Sequence, residues 1–138
     1  MYVSQIFTVL LVAATALTEA RVLETRQLGS LSCNFARLQI VSAISSAKSS
    51  VADIKDTAVK DSASAGLKTA SDAIGNIGKA IVSGQKAAAE DRNTVETGLT
   101  ATGTALQGGD QTDDAVVKAG GFLQKAVSAG QDVVSKCK

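Results

Sequence analysis

Apolar and small residues recur at spacings of three and four along most of the chain after Gly29. This spacing places their side chains along one face of an α-helix, whereas the period of two that is typical of strands appears nowhere at length. The pattern predicts four helices, near 31–60, 62–88, 94–107 and 111–136. Their core-facing positions are Leu31, Phe35, Leu38, Val41, Ile44, Ala47, Val51, Ile54 and Ala58; Ala63, Leu67, Ala70, Ile74, Ile77, Ile81, Gly84 and Ala88; Val95, Leu99, Thr102 and Leu106; and Val116, Ala119, Leu123, Ala126, Gly130, Val133 and Cys137.

Residues that favour helix ends lie between these segments. Residues 61–62, Asp-Ser, predict the N-cap of the second helix, because a short side-chain oxygen accepts hydrogen bonds from free backbone N–H groups. Residues 93–96 predict a capping box for the third helix, the glycines at 108–109 its end, and the acidic residues of 110–114 the start of the fourth. Short connections favour antiparallel neighbours. The sequence therefore predicts an all-α, antiparallel up-down four-helix bundle.

Two cysteines lie near the ends of the helical region, Cys33 and Cys137. In an up-down bundle the first helix starts at the end where the fourth stops, so these cysteines are expected to be neighbours. A metal site and a reactive thiol are the alternatives, but two cysteines without a histidine do not complete a structural zinc sphere. We therefore predict one disulfide that closes the bundle, and a chain-entropy stabilisation of about 4.7 kcal/mol for a loop of roughly 100 residues.

Small side chains dominate the helices, which predicts close packing and a core of marginal stability. The third predicted helix, near 94–107, is shorter than its neighbours, so part of the apolar seam is expected to lie open as a groove. Alternatively, residues 86–93 extend this helix and cover the seam. The predicted interaction surface comprises the apolar residues Ile74, Ile77, Ile81, Leu123 and Val127.

The start of the chain predicts targeting and processing. Residues 6–17 form an apolar run that is shorter than the roughly 20 residues of a membrane-spanning helix. Thr18 and Ala20 occupy the −3 and −1 positions of a signal-peptidase site. A polar segment that ends in Arg26 follows, and no second apolar run is present, so we expect no membrane span. The predicted units are a signal peptide over 1–20, a short propeptide over 21–26 and a secreted helical domain over 27–138.

Composition excludes several classes of function. The chain has no histidine, which excludes imidazole chemistry and histidine-ligated metals. Lys plus Arg number 14 and Asp plus Glu 13, without the basic excess of nucleic-acid binders. The adjacent acid pairs are Glu90-Asp91 and Asp113-Asp114; neighbouring helical residues point about 100° apart, so neither pair converges as an acid–base pair would. We interpret them as helix-start residues. We expect no enzyme activity, no cofactor, no metal and no nucleic-acid partner.

Two sets of polar side chains recur at helical spacing. The lysines, if they do not simply form a solvated face, would attract an acidic partner or surface, and the threonines of the third helix would carry O-linked glycans or form a flat binding face. The lysines are Lys48, Lys55, Lys79, Lys86, Lys118 and Lys125, and the threonines are Thr94, Thr97, Thr100 and Thr104.

The leader, the Arg26-Gln27 junction and the segment 27–34 together resemble small secreted proteins of filamentous fungi, many of which are effector candidates. The Ala/Ser/Thr-rich helical body is also similar, to a lesser extent, to fungal hydrophobic-surface-binding proteins. The resemblance implies a secreted, extracellular protein, effector-like and delivered into host tissue in some cases, that binds a host or cell-wall component. The alternative is a surface-active or lipid-binding amphipathic helical protein that coats hydrophobic surfaces. The expected partner is a protein or a surface, and the expected state is a monomer.

Secretion with removal of the leader is directly testable. Mass spectrometry of culture supernatant should find a chain that begins at Gln27, or at Arg21 if signal peptidase alone cleaves it. An extracellular protein that retains residues 6–17 would contradict the prediction.

Overall fold

The computed structural model describes residues 31–137. Within this range the chain forms four helices and no strand, which confirms the all-α class. The predicted signal peptide, the predicted propeptide and the Arg26-Gln27 junction lie outside the described residues. The helices are α1 over 31–52, α2 over Thr57–Val82, α3 over Ala89–Gln107 and α4 over Asp114–Lys136.

The predicted antiparallel bundle is confirmed by contacts at its two ends. At one end, a disulfide joins Cys33 at the start of α1 to Cys137 just after α4, with 5.0 Å between the Cα atoms. At the other end, the backbone N–H of Lys55, in the turn between α1 and α2, donates to the Asp113 carboxylate before α4 (3.3 Å). We call these the disulfide end and the loop end.

The boundary between α1 and α2 differs from the prediction because Asp56, and not the 61–62 pair, caps α2. Its side chain accepts hydrogen bonds from the N–H groups of Ala58 (2.9 Å) and Val59 (3.2 Å). The preceding Ile54 is 2% exposed and holds the turn against the core. Helix α1 therefore stops at residue 52 instead of 60, and the 61–62 pair lies inside α2.

The first and last residues of α2 and the first residue of α3 also differ from the prediction. Gly84 has a φ of 71°, a left-handed conformation that ends α2 at Val82. The capping box predicted at 93–96 is wrong, because α3 already begins at Ala89. Its N-cap, Ala88, makes no side-chain hydrogen bond, and two acidic residues in the first turn place negative charge at the helix N-terminus instead.

The core is deep at the loop end and thinner at the disulfide end. Val51, Leu67 and Val116 are almost completely buried near the loop end. Towards the disulfide end, Ile77 and Ile81 of α2 are only half-buried. The covalent link thus lies where packing contributes least.

The predicted core face of α1 is wrong in its first half. Leu31, Phe35, Leu38 and Val41 are exposed, at 62%, 62%, 68% and 50%, and a different face of α1 is turned inwards. The reason is the disulfide. Cys33 must face α4, and at about 100° per residue Phe35 then points about 200° away from it. The inward face comprises Cys33, Ala36, Ile40, Ala43, Ile44, Ala47 and Val51.

Helices α2 and α3 touch through their backbones. A Cβ added to Gly66 would lie 2.7 Å from the carbonyl oxygen of Gly98, and one added to Gly98 would lie 2.7 Å from the Ala70 nitrogen. The fully buried Thr102 hydroxyl donates to the Gly98 carbonyl (2.8 Å) and lies 3.4 Å from the carbonyl oxygen of Ala63. Glycine is required at both positions because no side chain fits between the helices.

Substitutions of three α2 and α3 glycines test this contact. Gly66→Ala and Gly98→Ala should each lower the free energy of unfolding by about 1–3 kcal/mol, since the new methyl group forces the helices apart. The matched control is Gly75→Ala on α2, whose added Cβ meets nothing within 4 Å. It should raise stability by about 0.5–1 kcal/mol through helix propensity. Urea titration measures all three, and equal stability of Gly66→Ala and wild type would contradict the packing argument.

The disulfide should support the thin end of the core. Reduction is expected to lower Tm by more than about 10 °C, because closing a loop of this length contributes several kcal/mol in the chain-entropy model. Thermal melting with and without a reductant measures the effect, and an intact mass two hydrogens below that of the dithiol confirms the starting state. Free thiols in the native protein would refute the link.

Candidate interaction surface

The five residues of the predicted interaction surface do not share one environment. Ile74 and Ile77 are half-buried and pack against the core, and Ile81 is half-buried. Leu123 is 9% exposed and belongs to the core, so it offers no accessible surface, whereas Val127 is 42% exposed. The structure therefore leaves Val127 as the exposed member of the set.

The predicted length mismatch beside α3 is smaller than the sequence indicates. Helix α3 has 19 residues and α2 has 26, about 28 Å against about 39 Å at ~1.5 Å per residue. The alternative, in which residues 86–93 extend the third helix, is correct for the part from Ala89 onwards. Residues 83–88 form the connection and are not helical.

A second apolar surface lies on the outside of α1 and is formed by Leu31, Phe35, Leu38 and Val41. We call it the α1 stripe. Its four side chains are each at least half exposed, and they extend over about 15 Å of helix. Exposed apolar patches on soluble monomers are often sites of interaction.

The helical spacing of the α1 stripe predicts that its residues belong to the core. The signal that identifies it lies in Cys33. Cys33 is bonded to Cys137 just after α4, and this bond determines which face of α1 is inward. The first half of α1 is apolar on both faces. One face is sufficient for the bundle, so the other stays outside.

The charged residues of α1 itself are both cations. Residues 31–52 contain Arg37 and Lys48 and no acidic residue. The Arg37 guanidinium donates to the side-chain oxygen of Asn34 (3.3 Å). It takes part in neither of the described ion pairs, which are Lys68–Asp72 (2.6 Å) and Lys136–Asp132 (3.0 Å).

The apolar character of this face ends after Val41. Serines continue the same helical spacing towards the loop end, and the Ser49 hydroxyl donates to the carbonyl of Ser45 (3.3 Å). Beside Val41, a cavity of about 210 Å³ lies between α1 and α2, with Ile44 and Ile74 in its lining and Lys48 at its edge. The stripe is thus a short apolar ridge with one small recess at its inner end.

The acidic pairs have structural roles. The Asp113 carboxylate accepts from the N–H groups of Ala115 (2.9 Å) and Lys55 (3.3 Å), and these bonds lower the pKa of Asp113. The Thr112 hydroxyl and N–H lower the pKa of Asp110 in the same way. Glu90 and Asp91 lie in the first turn of α3. Both pairs are therefore helix-start residues, as the sequence predicts.

A larger cavity at the loop end, of about 390 Å³, is lined by both acidic and basic side chains. Asp53, Asp113 and Asp114 face it together with Lys55 and Lys118. Within residues 31–137, no group of three or more His, Cys, Asp or Glu side chains has a geometry that could hold a metal ion. The hydrogen bond from the Lys55 N–H to the Asp113 carboxylate connects the α1–α2 turn to the start of α4.

The two recurring sets of polar residues are exposed. All six lysines of the predicted repeat face solvent, and Lys125 lies 5.2 Å from the ring centre of Phe122. On α3, the hydroxyls of Thr94, Thr97 and Thr104 donate to backbone carbonyls four residues earlier. Their donors are thus used within the helix.

None of the helices within residues 31–137 is both long and apolar enough to cross a membrane. The chain matches no protein-family model, no curated protein and no solved structure.

Proposed function

We propose that this chain is a secreted, non-enzymatic binding protein of the effector type. It acts outside the producing cell or in the host, where it holds a host or cell-wall component against the α1 stripe. The observation that carries the proposal is the exposure of four neighbouring apolar side chains on an ordered, covalently anchored helix.

The anchoring of α1 supports binding without rearrangement. The disulfide holds its first turn, and further along Ile40 packs onto the α4 backbone, where a Cβ on Gly130 would lie 3.6 Å from the Ile40 side chain. An ordered surface loses little conformational entropy on binding, which favours affinity.

The state of the carboxylates supports a non-enzymatic role. The Asp113 carboxylate is occupied by two backbone N–H groups, and Asp110 by Thr112. Acid–base catalysis needs two groups that converge on a substrate with separated pKa values. Hydrogen bonds lower the pKa of Asp110 and of Asp113, so neither carboxyl group has the raised pKa of a general acid.

A second candidate function is the coating of hydrophobic surfaces by an opened bundle. The thin core at the disulfide end supports it, since Ile74, Ile77 and Ile81 are half-buried before any opening. The two candidates differ in one respect: the first keeps the bundle closed, and the second requires the helices to separate and expose the inward faces.

Two surface variants test the proposal. The double variant Phe35→Ser, Leu38→Ser should lose capture of its partner from host extracellular material and cell-wall fractions, because it removes the centre of the α1 stripe. The matched control is Val117→Ser, which alters a valine of α4 that is 55% exposed and outside the stripe. It should capture the same material as wild type.

Circular dichroism and thermal melting accompany the capture assay. Both variants should stay folded, because exposed substitutions usually change stability by less than about 0.5 kcal/mol per site. If the folded double variant captures the same material as wild type, the stripe is not the binding surface. If the wild-type protein instead binds apolar surfaces only with loss of its native helix packing, the second candidate replaces the first.

A further inference from the structure

The α1 stripe has the size and shape of a lipid-contacting ridge. At roughly 100 Å² for each of its side chains it offers about 400 Å², half of what one partner contributes to a standard protein–protein interface. Its surface is the convex outside of a helix, and the recess beside Val41 has a volume of only about 210 Å³. A lipid surface deforms around such a ridge and requires no matching groove.

Charge determines which lipid surface fits. Arg37 and Lys48 are separated from Val41 by four and seven residues, so the three share one side of α1, at the flank of the stripe. Lys48 also acts on Asp72 of α2, whose pKa is lowered chiefly by the hydrogen bond from Lys68 and less by Lys48. Arg37 has a neutral partner, Asn34, and lies in a helix without carboxylates. Its charge is available to an anion.

The same charges disfavour a second copy of the chain as the occupant. Two α1 helices packed through their stripes would bring two copies of Arg37 together, and α1 contains no carboxylate that could pair with either. Anionic headgroups complement these charges, and each cation near such a surface contributes to attachment.

We infer that the α1 stripe attaches the closed bundle to the surface of a lipid bilayer with anionic headgroups. Leu31, Phe35 and Leu38 enter the boundary between headgroups and acyl chains, and Arg37 contacts lipid phosphate. This inference rests on the proposed function, because it names the partner of the same surface. It differs from surface coating in that the disulfide-linked helices stay packed.

Sedimentation with vesicles tests the inference on the purified, disulfide-bonded protein. One set of vesicles contains phosphatidylcholine alone, and the other contains phosphatidylcholine with phosphatidylserine. Wild type should sediment with the second set, less so at high salt, with an unchanged circular dichroism spectrum. Phe35→Ser should weaken this binding about tenfold through lost apolar burial.

Arg37 separates the electrostatic contribution from the apolar one. Arg37→Gln should weaken binding to the anionic vesicles about fivefold and leave any binding to the neutral vesicles unchanged. Arg37→Lys should bind as wild type, and Val117→Ser should do the same, since Val117 lies outside the stripe. A merely structural role of Arg37 would instead lower binding to both kinds of vesicle in parallel with thermal stability.

Three outcomes overturn the inference. The first is that the folded wild type sediments with neither set of vesicles. The second is that Phe35→Ser binds the vesicles as wild type does. In the third, sedimentation velocity shows a dimer that the Phe35→Ser variant dissociates, and a second copy is then the occupant. The capture assay, repeated on delipidated material, separates this failure from that of the proposed function. If capture from delipidated material still depends on the α1 stripe while the protein does not bind vesicles, the proposed function stands without the lipid partner.

Discussion

The covalent link between Cys33 and Cys137 controls the orientation of α1, and much of the molecular surface follows from that orientation. The first half of α1 is apolar on two faces, so hydrophobic burial alone does not select one of them. Once Cys33 faces α4, Ile40 packs onto α4 near Gly130, and Phe35 and Leu38 must point outwards. The candidate binding surface is thus a geometric consequence of a bond between two residues at opposite ends of the bundle's sequence.

The rest of the bundle is held by close approach of small residues. At Gly66 and Gly98 the helices α2 and α3 come into backbone contact. The buried Thr102 hydroxyl beside them donates a hydrogen bond to the Gly98 carbonyl. Such packing buries little apolar area per residue, so the helices depend on closeness rather than on large side chains. Beyond this contact, towards the disulfide end, the large apolar residues Ile77 and Ile81 remain half-buried.

The two ends of the molecule have different chemistry. At the loop end, Asp56 and Asp113 cap helices, and Asp113 also binds the turn before α2. These two carboxylates therefore accept hydrogen bonds from the protein's own backbone. Near the disulfide end, the apolar α1 stripe is exposed and Arg37 lies at its flank. This contrast supports the proposal that a partner binds at the α1 stripe.

The all-α class, the disulfide pairing and the core positions of α3 and of the first parts of α2 and α4 could all be predicted from the amino-acid sequence. Val95, Leu99 and Leu106 are buried as their spacing predicts, because α3 has one apolar face and no competing choice. Helix starts were harder to predict. Asp56 and Asp61 are both good caps, and the turn before the first of them is held by the burial of Ile54 and by the hydrogen bond from Lys55 to Asp113. The outward face of α1 could not be predicted from residue spacing. Local periodicity describes both faces equally, and the choice depends on a partner 104 residues away.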